Sequence, residues 1–403
     1  MAKIARALAR RMFAGGNTAE GFRSFYSHII GQDAERVIVI KGGPGVGKST
    51  FMKHIADHIT SLGQSVDFFH CSSDPGSLDG VVFPQIGVAL IDGTAPHIVD
   101  PRFPGAIDEI LYLGDYWNES AIRASRNDIV TCTKNISRLF QRAYRFLRTA
   151  GDVLDDWSEA NAEALMTGVA NKIARSVVDQ IVADAPVADC PGAERHLFAS
   201  AITPDGFVNY LDTVVSGCDR KYIMRGGPGS GKSTLISRAA ARAVECGMDV
   251  ELFHCSLNPA SLEHLVIPSI GTAIITSVEP HEWTASPDSA VRDVIIDMEQ
   301  CLDPATVRRN QDIIEYDRKL MHEAMSRAVH FLGEARRAHH FLESFYTPNI
   351  DFDAVGELRE KTLQRILATA PSPQRTQRAQ TAQTAQTTRP TEPPRPRRGR
   401  SAS

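Results

Sequence analysis

GGPGVGKST at residues 42–50 and GGPGSGKST at residues 226–234 decide the fold of this 403-residue chain. Both segments fit the pattern G-x4-G-K-[ST], in which glycines let the backbone curl so that successive N–H groups face phosphate oxygens. The helix that follows such a loop adds the partial positive charge of its N-terminus. The two matches predict two phosphate-binding loops, the first loop (42–50) and the second loop (226–234).

The lysine and the hydroxyl group of each loop have separate expected roles. Lys48 and Lys232 would bridge the β- and γ-phosphates of a nucleoside triphosphate, while Ser49 and Ser233 would bind Mg²⁺. ATP and Mg²⁺ are therefore the predicted cofactors, and the absence of the guanine-reading string Asn-Lys-x-Asp favours ATP over GTP. The predicted nucleotide-binding residues are Gly42, Gly43, Pro44, Gly45, Val46, Gly47, Lys48, Ser49, Thr50, Gly226, Gly227, Pro228, Gly229, Ser230, Gly231, Lys232, Ser233 and Thr234.

The two loops belong to a longer repeat. With Lys48 aligned to Lys232, at an offset of 184 (232 − 48), FHCSSDPGSLDGVVFPQIG at 69–87 meets FHCSLNPASLEHLVIPSIG at 253–271 without a gap. Upstream, FAGGNTAEGF resembles FASAITPDGF at nearly the same offset. The chain is therefore interpreted as a duplication of one unit.

The repeat divides the chain into three segments. We predict one P-loop NTPase domain over residues 1–190 and a second over residues 191–370. Residues 371–403 are rich in Pro, Gln, Thr and Arg and have few apolar side chains. Such a segment buries too little apolar surface to offset its ordering entropy, so this tail is predicted to be disordered.

Strand and helix patterns alternate around the first loop. VIVIK at 37–41 is a β-branched run typical of a buried parallel strand, and apolar residues recur at helical spacing over 51–62. Further strands are expected at 66–71 and 87–91. The predicted fold class is α/β, with two tandem P-loop NTPase domains that have parallel sheets, each followed by a helical segment, and with the tail at the end.

Helix signals follow both sheets. One predicted helix face carries apolar residues four apart, at Leu165, Val169, Ile173, Val177 and Ile181. This stripe is expected to pack in a core or between domains. In the second half, Asp303 and Pro304 are a favourable N-cap and first residue for a long helix.

The two predicted sites are unequal. VALID at 88–92 resembles a Walker B strand and ends in Asp92, which would hold Mg²⁺, whereas the aligned residue of the second half is Thr276. Glu263 and Glu279 are carboxylates that could substitute, although neither aligns with Asp92. The first site is therefore expected to be the better catalytic site.

Three residues of the first half are the predicted catalytic group: Lys48, Asp92 and Asp74. Asp74 follows the second strand and would act as a base or orient water, with a turn-capping role as the alternative. The predicted metal ligands are Ser49, Asp92 and Ser233. His97, which repeats as His281, would either shape its loop or sense the γ-phosphate.

Composition excludes several classes of partner. Net charge is −4, but the tail holds seven Arg and one Glu, so the remainder carries −10 (−4 − 6). An acidic body argues against nucleic acid as a partner, and without a long apolar run no membrane span is expected. Seven cysteines without a C-x-x-C pair argue against a disulfide framework or zinc site and favour a reducing, cytoplasmic location.

The motifs FAGGNTAEGF, GGPGVGKST, FHCSSDPGSLDGVVFP, DGTAPHIVDP and LGDYW together resemble those of a family of uncharacterised bacterial tandem P-loop proteins, described as ATPases or nucleotide kinases. The resemblance covers residues 1–370. It implies ATP binding by residues 42–50, Asp92 and residues 226–234, and it supplies no substrate. The second half lacks the DGTAPH and LGDYW segments, which places its catalytic competence in doubt.

Three functions follow from these observations. The first is an Mg²⁺-dependent ATPase that hydrolyses ATP mainly at the first loop, with a degenerate second site. The second is a kinase that transfers the γ-phosphate to a small molecule or nucleotide, and the Ser- and Asp-rich segment 72–79 could bind the acceptor. The third is a nucleotide-gated switch or scaffold without enzyme activity, which would bind a protein partner.

Overall fold

The computed structural model describes residues 8–31, 33–94, 98–182, 185–279, 282–283 and 292–369. The tail predicted at 371–403 lies outside these residues, as do His97 and His281. The first half contains, in chain order, β1 (Ala9–Met12), β2 (Gly15–Thr18), β3 (Gly21–Ser24), β4 (Arg36–Lys41), α1 (Lys48–Ser61), β5 (Val66–His70), β6 (Leu78–Phe83), β7 (Val88–Asp92), β8 (Asp108–Tyr112), α2 (Glu119–Ala124), α3 (Arg126–Ala162) and α4 (Thr167–Val182).

The second half repeats this order with small changes. It contains β9 (Glu194–Leu197), β10 (Ser200–Thr203), β11 (Gly206–Asn209), α5 (Leu211–Val214), β12 (Arg220–Arg225), α6 (Lys232–Glu245), β13 (Val250–His254), β14 (Leu262–Ile267), β15 (Thr272–Thr276), β16 (Arg292–Asp297), α7 (Pro304–Arg309), α8 (Gln311–Glu343) and α9 (Phe352–Thr369). Short 3-10 helices lie at Tyr26–His28, Leu113–Tyr116, Pro268–Ile270, Glu299–Cys301 and Thr347–Asn349.

Each half forms a six-stranded mixed sheet, and the strand order is the same in both. The first sheet runs β1-β5-β6-β7-β4-β8 and the second runs β9-β13-β14-β15-β12-β16. Two further pairs, β2 with β3 and β10 with β11, form small hairpins. The fold is therefore α/β with two sheets, each followed by helices, and the common strand order supports the duplication.

The expectation of parallel sheets is wrong for one strand in each half. β6 is antiparallel to both β5 and β7, and β14 is antiparallel to both β13 and β15. The connections at 71–77 and 84–87 are too short for the helical crossover that parallel neighbours require, so the chain turns back on itself. The sequence pattern predicts no strand between 72 and 83, so β6 is a strand that the sequence analysis missed.

One helix of each half packs in the hydrophobic core of the other half. α4 follows the first sheet along the chain but packs against α6 of the second half, where Val177 and Ile181 join a core that contains Tyr222. α9 follows the second sheet but packs against α1, where Leu363 and Ile366 join the core of the first half. The stripe that includes Val177 and Ile181 is thus a core face, as expected, and that core belongs to the other repeat.

The long helices α3 and α8 pack along each other and connect the two halves. Small residues at their contact, including Ala143, Ala150, Ala324 and Ala328, are buried and let the helix backbones approach closely. Each of these helices ends close to the loop of the opposite half. The helix pair therefore spans the molecule from one loop to the other.

The start of the long helix of the second half differs from its prediction. Asp303 caps a helix as expected, since its carboxylate accepts the Thr306 N–H at 2.9 Å, and Pro304 is the first helical residue. That helix, α7, ends at Arg309, and the long helix begins after Asn310. The interruption lets the buried Asn310 amide donate to the Ala160 carbonyl of α3 at 2.8 Å.

No helix among the described residues is long and apolar enough to cross a membrane.

Candidate functional site

Each glycine-rich loop connects the end of a central strand to the start of a helix. The first loop lies between β4 and α1, and the second lies between β12 and α6. Gly45 and Gly47 have φ values of 68° and 89°, and the aligned Gly229 and Gly231 have values of 79° and 92°. Side chains strain the backbone in this left-handed region, so the loop shape requires these glycines.

Lys48, Ser49 and Asp92 come together at the first loop. The Lys48 ammonium donates to the Gly43 carbonyl at 2.8 Å and lies 3.6 Å from the Asp92 carboxylate. The Ser49 hydroxyl oxygen accepts the Leu78 N–H at 3.0 Å, which ties α1 to β6. The sequence predicted Lys48 and Asp92 as catalytic residues and Ser49 and Asp92 as metal ligands, and the structure brings these three residues to one edge of the sheet.

Asp92 occupies the carboxyl end of β7, beside β4, which leads into the first loop. Ligands of open α/β sheets bind outside this edge. One carboxylate oxygen accepts the Thr94 N–H at 2.9 Å, which orients the group, and the other faces Lys48. The carboxylate is mostly buried, with 16% of the side chain exposed, so its charge acts on Lys48 with little screening by water.

The second loop has the same shape but different neighbours. The Lys232 ammonium donates to the carbonyls of Gly226 and Gly227 at 2.6 Å each and to the Ser230 hydroxyl at 3.2 Å. Burial lowers the pKa of Lys232 to about 8. The side chain at the end of β15 is Thr276, a buried residue without charge, so the carboxylate of the first site has no counterpart at this position.

A carboxyl group approaches the second loop from another strand. Glu263 lies on β14 next to Leu262, whose N–H donates to the Ser233 hydroxyl at 3.1 Å. Burial raises the pKa of Glu263 to about 7, and the Lys232 charge opposes that rise. Glu279 instead pairs with Arg318 of α8. Of the two carboxylates that the sequence offered as substitutes, Glu263 is therefore the one beside the loop.

Asp74 makes turn contacts. Its carboxylate accepts the Ser77 hydroxyl at 2.6 Å, and its carbonyl accepts the Ser77 N–H at 2.8 Å. In the described part of the chain its hydrogen-bond partner is thus Ser77 and not Lys48. The turn-capping alternative describes this geometry, and a role in catalysis stays a prediction.

His70 and Cys71 follow the same pattern of buried, structural contacts. The His70 Nδ1–H donates to the Pro75 carbonyl at 2.8 Å, and burial lowers the pKa of His70 to about 4. Burial also raises the pKa of the Cys71 thiol well above its usual value. A neutral thiol is a poor nucleophile and a poor metal ligand, so we interpret Cys71 as a packing residue.

The other repeat covers the first loop. The Thr347 hydroxyl, just beyond α8, donates to the Gly45 carbonyl at 3.3 Å. A Cβ atom on Gly45 would lie 3.1 Å from Glu343 Cβ, and one on Gly43 would lie 2.9 Å from the Tyr346 ring. The sequence did not predict this contact, because the apolar pattern of a helix does not indicate which loop its end contacts.

The second loop is covered reciprocally by the end of α3. The Asn161 amide donates to the Pro228 carbonyl at 2.8 Å, and a Cβ atom on Gly229 would overlap the Ser158 carbonyl oxygen. Gly229 is thus required for the helix to approach this closely. Both sites are composite, since each combines a loop of one repeat with a helix end of the other.

One comparison with known proteins finds a match to part of the chain. Residues 22–79 match the model of the family described as Nephrocystin 3, N-terminal. This segment includes the first loop and ends at Asp79 on β6. No curated protein and no solved structure matches the chain.

Proposed function

We propose that this protein binds ATP with Mg²⁺ at both loops and hydrolyses it mainly at the first loop. The observation that carries the proposal is the group formed by Lys48, Ser49 and Asp92 at the sheet edge, which has only a partial counterpart at the second loop. The resemblance of the whole duplicated region to tandem P-loop ATPases supports the same assignment.

The residues at the first loop fit a Mg²⁺ ion. The Ser49 hydroxyl and the Asp92 carboxylate are oxygen donors, and Mg²⁺ in nucleotide sites takes one or two protein oxygens together with phosphate oxygens and water. When bound, the ion would neutralise charge on the β- and γ-phosphates. Lys48 would exchange its contacts with the Gly42 and Gly43 carbonyls for the phosphates, and the loop N–H groups would hold the remaining oxygens.

The second loop is proposed to bind ATP without efficient turnover. Its loop shape and Lys232 are kept, but Thr276 offers no charge to a metal ion. Glu263 is in reach of Lys232, but burial raises its pKa to about 7, so near neutral pH it is only partly ionised. A nucleotide bound there would act on structure or regulation.

Two other functions keep specific support. A kinase is favoured by the 71–77 connection, which leads directly into Leu78, the hydrogen-bond partner of Ser49, so an acceptor bound there would face the γ-phosphate. A nucleotide-gated switch with a protein partner is favoured by the helix pair that joins the two sites. All seven cysteines are free, in keeping with the cytoplasmic location that we also propose.

The destination of the γ-phosphate separates these functions. The purified chain would be incubated with γ-labelled ATP and Mg²⁺, with and without a pool of nucleosides, nucleotides and small metabolites, beside the variants Lys48→Ala and Lys232→Ala. We expect free labelled phosphate under both conditions, lost in Lys48→Ala and retained in Lys232→Ala. Label on a new compound only with the pool would make the protein a kinase. Tight nucleotide binding without transfer of the γ-phosphate to water or to another compound would favour the nucleotide-gated switch.

A further inference from the structure

The end of α8 presents a carboxylate to the first loop. Glu343 is the last residue of α8, and its Cβ lies close to Gly45 in the middle of the loop. The side chain is 34% exposed, so water reaches it. The loop N–H groups cradle the phosphates of a bound nucleotide and the loop lysine reaches the terminal ones, so Glu343 lies against the loop that would hold the phosphate chain.

His339, one helical turn earlier, belongs to the same surface. Its Nδ1 lies 3.6 Å from a Glu343 carboxylate oxygen. The pKa of His339 is lowered chiefly by burial, and the Lys48 charge contributes to the lowering while Glu343 and Asp74 oppose it. Side chains of α8 and the lysine of the first loop thus share one electrostatic environment, although they come from different repeats.

The aligned position at the second loop has no carboxylate. At the repeat offset of 185 (343 − 158), Glu343 corresponds to Ser158 of α3, which approaches Gly229 as Glu343 approaches Gly45. The helix ends are therefore placed alike, and their side chains differ. As with Thr276 in place of Asp92, the second loop thus has an uncharged residue where the first loop has a carboxylate.

We propose that Glu343 is the general base of ATP hydrolysis at the first loop, so that the second repeat of the same chain supplies a catalytic residue to the site of the first repeat. The inference rests on the proposed hydrolysis. The water oxygen forms a bond to the γ-phosphorus while the bond between that phosphorus and the bridging oxygen of ADP breaks, and the bridging oxygen keeps the electron pair. The water proton passes to the Glu343 carboxylate and then to solvent.

Two other carboxylates near the first loop are already engaged. Asp92 faces Lys48 and accepts the Thr94 N–H. Asp74 accepts the Ser77 hydroxyl. Glu343 has a water-accessible carboxylate next to the loop, and among the described residues its ion-pair partner is His339 of the same helix.

Single-turnover hydrolysis with the full chain tests this role. Glu343→Gln keeps the size and the packing of the side chain but removes the base, so we expect kcat to fall at least about 100-fold. The Kd for a non-hydrolysable ATP analogue should stay within about threefold of wild type. Glu323→Gln, at an exposed position of the same helix, is the matched control and should leave kcat unchanged.

Two outcomes would overturn the role of Glu343. One is a wild-type kcat in Glu343→Gln, and the other is a parallel loss of analogue binding and kcat, which indicates a structural contact only. If the wild-type chain releases no phosphate, the proposed function fails together with this inference. If the wild-type chain releases phosphate and Glu343→Gln does so equally fast, only the inference fails.

Discussion

The two loop lysines have the same sequence context and different electrostatic surroundings. Lys48 faces an anion, Asp92, that is held at the edge of the sheet. Lys232 is enclosed by backbone carbonyls, and its burial lowers its pKa to about 8. Glu263, whose charge acts on Lys232, has its own pKa raised by burial to about 7. Near neutral pH, Lys232 and Glu263 are therefore both close to their titration ranges.

The raised pKa of Glu263 predicts a pH dependence of stability. The folded chain holds this proton up to about pH 7, whereas a glutamate in the unfolded chain releases it near its ordinary pKa of 4.5. The resulting stabilisation is full below pH 4.5 and is lost as the pH rises through 7, a change on the order of 3 kcal/mol. Glu263→Gln lacks this titration.

Urea unfolding of the nucleotide-free chain at about pH 5, 6, 7 and 8 measures this effect across the titration of Glu263. The free energy of unfolding of Glu263→Gln should increase relative to that of wild type as the pH rises, because only wild type loses the contribution of the Glu263 proton. Groups that titrate in both proteins cancel in this comparison. A difference that stays constant across this range would show that Glu263 has an ordinary pKa.

At the scale of elements, each core is completed by a helix from the other repeat. α9 adds Val355, Leu363 and Ile366 to the first core, and α4 adds Val177 and Ile181 to the second. Each exchanged helix also lies near the loop of its new half. The Phe352 ring at the start of α9 is 3.4 Å from the Cβ position of Gly47, and Ala170 Cβ of α4 is 4.0 Å from that of Gly231. The exchange thus connects core stability to the shape of the sites.

Truncation of an exchanged helix side chain tests this packing. Ile366 is fully buried, so Ile366→Ala should lower the free energy of unfolding by about 2–5 kcal/mol. Glu357→Ala changes an exposed residue of the same helix and should stay within about 0.5 kcal/mol of wild type. Urea denaturation measures both. Equal, small effects of the two substitutions would mean that α9 does not pack in the first core.

Local pattern predicted some of these elements and not others. The first loop, β4 and α1 follow from glycine spacing and apolar periodicity, which are properties of contiguous residues. β6 was missed because Asp79 and Gly80, which are uncommon in strands, interrupt its apolar run, although all six of its residues are buried. The apolar stripe that includes Val177 indicated a core face, but periodicity does not identify the partner of a face.

The candidate site divides in the same way. Lys48, Ser49 and Asp92 were predicted because motif spacing specifies each position. Glu343 and Asn161 were not, because they reach the loops through contacts between residues far apart in the chain. Glu263 was considered and set aside because it does not align with Asp92, although its strand, β14, lies directly beside β15.

At the scale of the whole molecule, equivalent residues of the two repeats meet each other. Arg10 donates to both Asp67 and Glu251, and Arg195 does the same. Phe13 and Phe198, another equivalent pair, exchange backbone hydrogen bonds at 2.9 and 3.0 Å. The two sheets are thus joined by a buried cluster of charges with approximate two-fold symmetry.

This charge cluster predicts a large cost for removing one member. Burial favours the neutral form of Asp67, but the nearby Arg10 and Arg195 charges outweigh burial and lower its pKa. Asp67→Asn leaves the arginines without one of their two anions and should cost about 3–5 kcal/mol of stability. Asp100→Asn, which removes an exposed partner of Lys41, should cost less than about 1 kcal/mol.

Thermal and urea unfolding at neutral pH compare the two variants. Because the Asp67 pKa is depressed, its contribution to stability is present above the unfolded pKa of 3.8 and is lost as the pH falls through the lower folded value. The gap between wild type and Asp67→Asn should therefore narrow in acid. An Asp67→Asn variant as stable as Asp100→Asn would show that the cluster does not hold the halves together.

The number of nucleotides bound per chain tests the central claim most directly. Wild type, Lys48→Ala and Lys232→Ala would be titrated at equilibrium with a fluorescent, non-hydrolysable ATP analogue and Mg²⁺. We predict two bound analogues for wild type and one for each variant, with the remaining site of Lys48→Ala unable to turn over ATP. A single site in wild type, or the loss of both sites in Lys48→Ala, would contradict the claim that the two loops each bind a nucleotide independently.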